Sequence, residues 1–228
     1  MCYTINLKLM TEECSVPAPR PYPVFWLIAG KPCLVVGGGK IACRKIRDLV
    51  ECGATVTVVA EDALPEAEEL AERGAIRLFN RRFEPDDVDG MTLVIAATDD
   101  DAVNAGIAQY ARREGIPVNA VDDIGSSDFI SGAVVRRGPL RIAVSTSGCS
   151  PLISGSIRRE LEERYDESFG AYIELAGELR TFILSAECGR TVKDDALRWI
   201  AGRTAYDLFV RSGEEPVWKH VKTILFSS

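Results

Sequence analysis

"CLVVGGGKIACRK", residues 33–45, decides the fold, because an apolar run ends in three glycines and continues into a helical pattern. Gly37, Gly39 and Ala42 stand at the GxGxxG/A spacing, directly after a predicted strand and at the opening of a predicted helix. In that context Gly37 permits a tight turn, Gly39 lets the backbone approach a pyrophosphate, and Ala42 allows close packing of helix on strand. Lys40 and Ile41 are then expected beside the phosphates. The alternative is a glycine turn that only joins strand to helix.

The flanking sequence repeats this alternation of apolar runs and helical stretches. Apolar runs cover 33–37, 54–60, 75–79, 91–98 and 116–121, and helical stretches cover 40–51, 65–74 and 100–115. The runs are continuous rather than alternating, which is typical of parallel strands buried on both faces. The pattern predicts an α/β fold, a Rossmann-like parallel sheet with helices on both faces, and it favours dinucleotide binding for the glycine turn.

An acidic partner for a ribose is expected about 20 residues after the glycine turn, at the end of the second strand. Glu61 and Asp62 follow the run "TVTVVA" at this place. A carboxylate there favours NAD over NADP, whose 2′-phosphate it would repel. No Arg or Lys follows this strand, which also disfavours NADP. The alternative is that "EDALPE" only caps the next helix.

Polar residues also follow the fourth and fifth strands. Thr98 comes before three aspartates at 99–101, which are better explained as caps of the next helix, whereas Thr98 is expected to line the cofactor cleft. The stretch "VNAVDD", residues 118–123, ends the fifth strand on Asp122 and Asp123. Because ligands bind at the carboxyl edge of open α/β sheets, Asn119 and Asp122 are expected to face the nicotinamide end.

The pattern changes after residue 123. "DFISGAVV" and "LRIAVST" flank the short turn "RRGP", residues 136–139, and predict an antiparallel pair. Ser150 followed by Pro151 is a strong helix start, and the stretches 166–187 and 191–211 are helical in pattern. A mainly helical C-terminal region is therefore expected.

Composition excludes several function classes. The chain has 228 residues with 46% hydrophobic and 27% charged residues, as in globular proteins, and its net charge of −7 speaks against a general nucleic-acid binder. No membrane span or signal peptide is visible, so we expect a cytoplasmic protein. Seven scattered cysteines without a CxxC pair predict neither a disulfide framework nor a thiolate metal site. The single histidine, His220, disfavours mechanisms that need several imidazoles.

Five stretches in order carry a resemblance to a known family: "YPVFWLIAGKPCLVVGGGKIACRK", "LVIAATDDDAVN", "PVNAVDD", "DFISGAVVRRGPLRIAVSTSGCSP" and "IRRELE". Together they resemble the precorrin-2 dehydrogenase and sirohydrochlorin ferrochelatase family, the N-terminal module of siroheme synthases. The resemblance implies oxidation of precorrin-2 to sirohydrochlorin with NAD as cofactor, and in some members Fe2+ insertion. It also implies a homodimer interlocked through its middle segment.

The resemblance also implies roles for individual residues. An "NxxD" stretch that carries the family's catalytic aspartate matches Asn119 to Asp122, which leaves Asp123 as a loop or capping residue. The substrate has eight carboxylates, which suits arginines, although each arginine can equally be surface charge. A hydroxyl-rich loop at a helix start is a further seat for a carboxylate. The substrate-binding residues expected in this way are Asn119, Arg136, Arg137, Arg141, Thr146 and Ser147. Cys149 in that loop is incidental, and no metal-ligand cluster is visible.

We therefore expect an arm at residues 1–21, an NAD-binding domain at 22–124, a dimerisation and substrate segment at 125–164, and a helical domain at 165–228. The main alternative is a regulatory NAD-sensing Rossmann domain without catalysis. It is disfavoured because a sensor does not require an NxxD carboxylate followed by an arginine-rich segment. A protein that only inserts metal is disfavoured by the intact glycine turn.

Overall fold

The computed structural model describes residues 20–226, so nearly all of the arm expected at residues 1–21 lies outside the described residues. The chain divides after Ser131 into two compact units. The expected boundary after residue 124 falls seven residues earlier. No helix of the described residues is long and apolar enough to cross a membrane.

The first unit contains a parallel five-stranded sheet in the order β3-β2-β1-β4-β5. The strands are β1 Pro32–Val36, β2 Thr55–Ala60, β3 Ile76–Asn80, β4 Leu93–Ala96 and β5 Val118–Ala120. The helices between them are α1 Lys40–Glu51, α2 Pro65–Glu72 and α3 Asp101–Arg113, with a short 3-10 helix at Pro85–Val88. The strand order reverses its direction between β1 and β4, which creates the switch point where such sheets bind ligands.

Alternate residues of β1 serve two separate cores. Cys33 and Val35 pack with α1 and α2 on one face, whereas Leu34 and Val36 pack with α3 on the other. All four side chains are at most 3% exposed. A strand buried on both faces needs apolar residues at every position, which explains the continuous run "CLVV". The predicted Rossmann-like sheet with helices on both faces is confirmed.

The free edge of β5 is covered by residues 123–129 rather than by another strand. The Asp128 carboxylate accepts a hydrogen bond from the Val118 amide at 3.1 Å, and the Ser127 hydroxyl accepts one from the Ala120 amide at 3.0 Å. These side chains satisfy backbone donors that would otherwise be left open at a sheet edge. Residues 125–131 therefore belong with the first unit, which explains why it extends past residue 124.

The second unit joins a two-stranded antiparallel sheet to helices, as predicted. Its elements are β6 Ala133–Arg137, β7 Leu140–Val144, α4 Pro151–Arg164, α5 Glu167–Ser185, α6 Arg190–Ile200, α7 Arg203–Ser212 and α8 Glu214–Phe226. The Ser150 hydroxyl caps α4 by accepting a hydrogen bond from the Ile153 amide at 3.3 Å. Helices α5 to α8 share one apolar core.

One helical prediction needs correction in the second unit. The stretch 191–211 is not continuous, because the chain ends α6 at Ile200 and begins α7 at Arg203. Gly202 lies between them with an extended backbone, at φ −87° and ψ 155°, as the N-cap of α7. Glycine is among the weakest helix formers, so a break at this position is favoured locally.

Candidate functional site

A cleft of about 910 Å³ opens at the carboxyl edge of the parallel sheet. It is lined by the turns that follow β1, β2, β3 and β4 and by one side of α3. The predicted cofactor residues that line it are Gly37, Gly39, Glu61, Asp62 and Thr98. The structure thus brings together, at the switch point of the sheet, five residues from three separate segments.

The three glycines after β1 have different reasons to lack a side chain. Gly37 has φ 119°, and a Cβ there would lie 2.2 Å from the carbonyl oxygen of Ala97. A Cβ on Gly38 would lie 2.4 Å from the carbonyl oxygen of Asp62. A Cβ on Gly39 would meet no atom within 4 Å. Gly37 and Gly38 are therefore required by packing, whereas Gly39 faces open space where a pyrophosphate can approach its backbone.

This geometry fits a dinucleotide. Gly39 is the N-cap of α1 and makes no side-chain capping bond, so the first amides of the helix face the open space as donors for an anion. Ala42 is fully buried under the turn, as the spacing predicts. Lys40 and Ile41 are exposed in the first turn of α1 but do not line the cleft, so their contact with phosphates stays a prediction.

The acids after β2 have a basic neighbour that the sequence did not reveal. Glu61 accepts a hydrogen bond from the Nε of Arg82 at 2.8 Å. Arg81 and Arg82 follow β3, which pairs with β2 and ends beside it, and both arginines line the cleft. No basic residue follows β2 directly in the sequence. The turn after β3 nevertheless brings two arginines to the same edge of the sheet.

Thr98 is held by a buried residue that the sequence analysis missed. The Asn104 side chain is 3% exposed, and its Oδ1 accepts hydrogen bonds from the amide and the hydroxyl of Thr98, at 3.0 and 2.8 Å. The Asp100 carboxylate accepts bonds from the amides of Ala102 and Val103, which confirms a capping role for this aspartate. Asn104 therefore fixes the turn that carries Thr98 into the cleft.

Asp122 occupies a turn that follows β5. Its φ is 62°. Among the described residues other than glycine, only Asp122 and Ser147 have a positive φ. The Asp122 carboxylate is exposed and makes no hydrogen bond or ion pair with any described residue. Aspartate tolerates the left-handed region better than most residues, yet such a conformation is uncommon and is enriched at functional sites.

The neighbouring Asp123 plays a different part. Its carboxylate accepts a hydrogen bond from the Ser126 amide at 3.1 Å. Hydrogen bonds from the side chain and backbone of Ser126 hold the pKa of Asp123 below its ordinary value. Asp123 is thus bonded inside the loop, as expected for a capping residue, whereas no described residue bonds to Asp122.

The turn of Asp122 is tied directly to the strand that enters the cleft. Ala96 and Ala120 are paired across β4 and β5, and the Val121 amide donates a hydrogen bond to the Ala96 carbonyl at 2.9 Å. Thr98, two residues after Ala96, lines the cleft. Asp122 therefore leaves the sheet beside the segment that carries Thr98.

Asn119 lies inside the first unit rather than at its surface. It is 7% exposed, and its amide donates hydrogen bonds to the Phe129 carbonyl at 3.0 Å and to the Ser127 hydroxyl at 3.4 Å. These bonds hold the loop that carries Asp122. A direct contact between Asn119 and a substrate stays a prediction.

The predicted arginines of the second unit have separate surroundings. Arg136 of β6 and Arg141 of β7 are directly paired across the antiparallel sheet. Arg137 is turned toward the helices: its guanidinium donates to the Arg136 carbonyl at 2.7 Å and to the Glu162 carbonyl at 3.5 Å, and it pairs with Glu167. Arg137 therefore has a structural role, while the pairing places Arg136 and Arg141 side by side.

The loop before α4 is organised by a hydroxyl group. The Thr146 hydroxyl accepts a hydrogen bond from the Ser150 amide at 3.0 Å and lies 3.1 Å from the hydroxyl of Ser154, which is 7% exposed. Ser147 has φ 53°, and its amide bonds to the Ser145 hydroxyl at 3.0 Å. Thr146 thus stabilises the helix start, and binding of a substrate carboxylate there stays a prediction.

The order of the parallel sheet, the tight glycine turn and the cleft at the switch point define a Rossmann-type dinucleotide-binding protein. Comparison with known families narrows this class. The family model described as "Putative NAD(P)-binding" matches residues 24–133, and the model described as "Sirohaem biosynthesis protein central" matches residues 137–164. The first match confirms the prediction of an NAD-type dinucleotide cofactor.

Individual relatives agree with the family models. Siroheme synthase from Methylococcus capsulatus is 46% identical over 164 residues, which cover 72% of this chain and 35% of the relative. Siroheme synthase from Chromobacterium violaceum is 41% identical over 159 residues, covering 70% and 34%. The solved structure of "SirC, precorrin-2 dehydrogenase" is 28% identical with a TM-score of 0.75 and covers 89% of this chain and 100% of that chain.

The chain is therefore similar in sequence to part of the siroheme synthases and in structure to a precorrin-2 dehydrogenase. The resemblance found in the five sequence stretches is therefore confirmed. The chain spans about a third of the length of the siroheme synthases that it matches.

Proposed function

We propose that the chain oxidises precorrin-2 to sirohydrochlorin with NAD+ as the hydride acceptor. The observation that carries this proposal is the position of Asp122. Its carboxylate is exposed and has no partner among the described residues, and its turn is bonded to the end of β4, from which the chain enters the dinucleotide cleft.

The residues that line the cleft suit the pyrophosphate and a ribose of a dinucleotide. The backbone at Gly37 to Gly39 and the first amides of α1 would hold the pyrophosphate, and Glu61 or Asp62 would accept hydrogen bonds from a ribose. Thr98, fixed by Asn104, lies on the side of the cleft nearer to β5. NAD+, when bound there, supplies the acceptor for the hydride.

Asp122 supplies the base. Dehydrogenation of a carbon–carbon bond removes a proton together with the hydride, and a positioned carboxylate can accept that proton. The hydrogen bonds of Asn119, Ser127 and Asp128 hold the loop against β5 and so restrict where the Asp122 carboxylate can lie. Asp123 is already used by Ser126 and is not the base in this proposal.

Arg136 and Arg141 are proposed to bind carboxylates of the substrate. They are paired across β6 and β7, so two arginine side chains leave neighbouring positions of the antiparallel sheet. The precorrin-2 of the proposed reaction carries many carboxylates, and the planar guanidinium binds carboxylates through two parallel hydrogen bonds. The Arg137 guanidinium donates to the Glu162 carbonyl and pairs with the Glu167 carboxylate, which gives Arg137 a structural role as well.

A homodimer is a further part of the proposal. The first two turns of α4 expose three large apolar side chains, Leu152, Ile153 and Ile157, at 86%, 55% and 37%. Several large apolar side chains exposed together at one end of a helix are typical of a surface that another chain covers. Sedimentation of the purified protein, compared with that of a Leu152→Asp variant, tests it, because a dimer should dissociate in the variant.

Fe2+ insertion into sirohydrochlorin is proposed only as a second reaction, with Asp122 again as the base. Insertion removes two protons from ring nitrogens, and an exposed carboxylate without a competing partner can accept them. The alternative of a regulatory NAD-sensing domain is not favoured, since the family match continues beyond the dinucleotide domain through residues 137–164.

The test is a direct assay of the reaction. Purified protein is mixed with precorrin-2 and NAD+, and NADH absorbance is recorded against a protein-free control and a control without NAD+. We expect NADH and sirohydrochlorin in equal amounts. NADH formation no faster than in the protein-free control contradicts the dehydrogenase proposal. Adding Fe2+ to the product then tests insertion separately. If siroheme forms no faster than without protein, only the insertion proposal is contradicted and the dehydrogenase proposal stands.

A further inference from the structure

The ribose end of the cleft contains an acid–base pair that the NAD fingerprint does not require. We propose that Glu61 and Arg82 together set the selectivity for NAD over NADP: Glu61 binds the ribose and also holds Arg82 away from the 2′ position. Without the Glu61 carboxylate, Arg82 becomes a ligand for the 2′-phosphate of NADP. This inference rests on the dinucleotide site of the proposed function.

The sheet places the two residues side by side. Ala60 and Asn80 are paired at the ends of β2 and β3, so residues 61 and 82 leave the sheet at the same edge. The Nε of Arg82 lies 2.8 Å from Oε1 of Glu61, and both residues line the cleft. The same carboxylate that is suited to a ribose hydroxyl therefore also neutralises the nearest guanidinium.

Arg82 is the arginine that can be released. Its side chain is 84% exposed and its partner Glu61 is 58% exposed, and an ion pair this exposed is weak. Arg81, in contrast, bonds to both oxygens of Asp87, whose side chain is 12% exposed, and donates to the Arg82 carbonyl. Arg81 is thus fixed within the turn, whereas Arg82 is held at the rim by a single carboxylate.

The charges account for the direction of the selectivity. In the native chain a 2′-phosphate would meet the carboxylates of Glu61 and Asp62, and Arg82 would have to leave Glu61 to compensate it. When Glu61 is replaced by a neutral residue, one negative charge is removed and the Arg82 guanidinium can bind the phosphate through two hydrogen bonds. Loss of Glu61 should therefore weaken NAD binding and strengthen NADP binding together.

The experiment measures the dissociation constants of NAD+ and NADP+ by calorimetry, without precorrin-2. The proteins are the native chain, Glu61→Ser, Glu61→Gln, the double variant Glu61→Ser with Arg82→Ser, and the control Glu66→Ser. Glu66 forms an equally short pair with Arg47, at 2.8 Å, but lies outside the cleft. Thermal melting checks that each variant is folded. We expect the Glu61 and Arg82 variants to fold because both of these side chains are exposed.

We expect the native chain to prefer NAD+. Glu61→Ser should shift the ratio of the two dissociation constants toward NADP+ by about 10- to 100-fold, as for a charge-assisted hydrogen bond gained by one ligand. Glu61→Gln should shift it in the same direction while NAD+ binding is better retained. The double variant should lose most of the shift, and Glu66→Ser should leave the ratio unchanged.

Two results overturn the inference. An unchanged ratio in Glu61→Ser shows that Glu61 does not set the selectivity, and a full shift in the double variant shows that Arg82 takes no part. Because no substrate is present, a chain that binds NAD+ but does not oxidise precorrin-2 refutes the proposed reaction and leaves this inference standing. A native chain that binds neither dinucleotide refutes both.

Discussion

The loop after β1 and the loop after β5 leave the same edge of the sheet but offer different chemistry. The first presents backbone: Gly37 and Gly38 are packed against neighbouring carbonyls, and Gly39 faces open space. The second presents a side chain: Asp123 is hydrogen-bonded within its loop, whereas Asp122 has no partner among the described residues. In both loops the neighbours maintain the structure and leave one residue available for a ligand.

The two loops are restrained in different ways. The glycine loop is restrained by sterics, since a single added carbon would overlap the backbone of the adjacent turns. The loop after β5 is restrained by polar side chains, because Ser127 and Asp128 replace the hydrogen bonds of a missing edge strand. Substitutions should therefore separate structural from functional residues within each loop.

The largest effect is expected for Asp122→Gly. Turnover should fall by about 10²- to 10⁴-fold, the usual contribution of a general base. Glycine adopts a φ of 62° without strain, so the free energy of unfolding should stay within about 1 kcal/mol of the native value. Steady-state NADH formation and urea unfolding measure the two quantities. A variant that keeps turnover removes Asp122 from the chemistry.

Gly38→Ala and Gly39→Ala should show opposite behaviour in the glycine loop. Gly38→Ala overlaps the Asp62 carbonyl and should lower the free energy of unfolding by about 1–3 kcal/mol. Gly39→Ala should lower the free energy of unfolding by less than about 1 kcal/mol, the cost of Ala at an N-cap, and weaken NAD+ binding about tenfold, the equivalent of one lost hydrogen bond. Chemical unfolding and calorimetry measure these changes. Equal losses of stability in both variants would contradict the assignment of Gly39 to the ligand.

Asp128→Ala tests the restraint of the loop after β5. The Val118 amide and the Arg112 side chain lose an acceptor, so the free energy of unfolding should fall by about 1–3 kcal/mol. Turnover should fall less than in Asp122→Gly, because the base is kept but held less firmly. Asp86→Ala, at an exposed carboxylate, is the control and should change stability by less than about 0.5 kcal/mol.

The smallest effect concerns acid stability at Asp123. Hydrogen bonds from Ser126 lower the pKa of its carboxyl below the ordinary value of 3.8. The charged carboxylate therefore stabilises the fold at higher pH, and this contribution is lost as the pH falls below that value through the folded pKa. Asp123→Asn should lose less stability than the native chain between about pH 5 and pH 2. Equal acid sensitivity would contradict a structural role for this carboxylate.

The order of elements in the first unit could be predicted because its strands are buried on both faces. A run such as "LVIA" in β4, in which every residue is at most 3% exposed, leaves a pattern that local sequence displays. The break in the stretch 191–211 was missed, because α6 and α7 both carry helical periodicity and only Gly202 marks the interruption. Strong periodicity identifies helices more reliably than their ends.

The residues of the proposed site were predictable to different degrees. Gly37, Gly39 and Glu61 follow from spacing within one βαβ unit, and Asp122 follows from an ordered family motif. Arg82 and Asn104 were missed, because each acts through a neighbour 21 or 6 residues away. Such partners depend on strand pairing and on the path of a turn, which spacing alone does not determine.

NADH formation from precorrin-2 by Asp122→Asn and Asp123→Asn, measured side by side at saturating NAD+, tests directly whether Asp122 is the base. Asparagine keeps the size of both side chains and tolerates a positive φ, so the variants differ mainly in which charge is removed. We expect Asp122→Asn to lose turnover while NAD+ binding is retained, and Asp123→Asn to stay active. Full activity in Asp122→Asn together with loss in Asp123→Asn would contradict the assignment of Asp122 as the base.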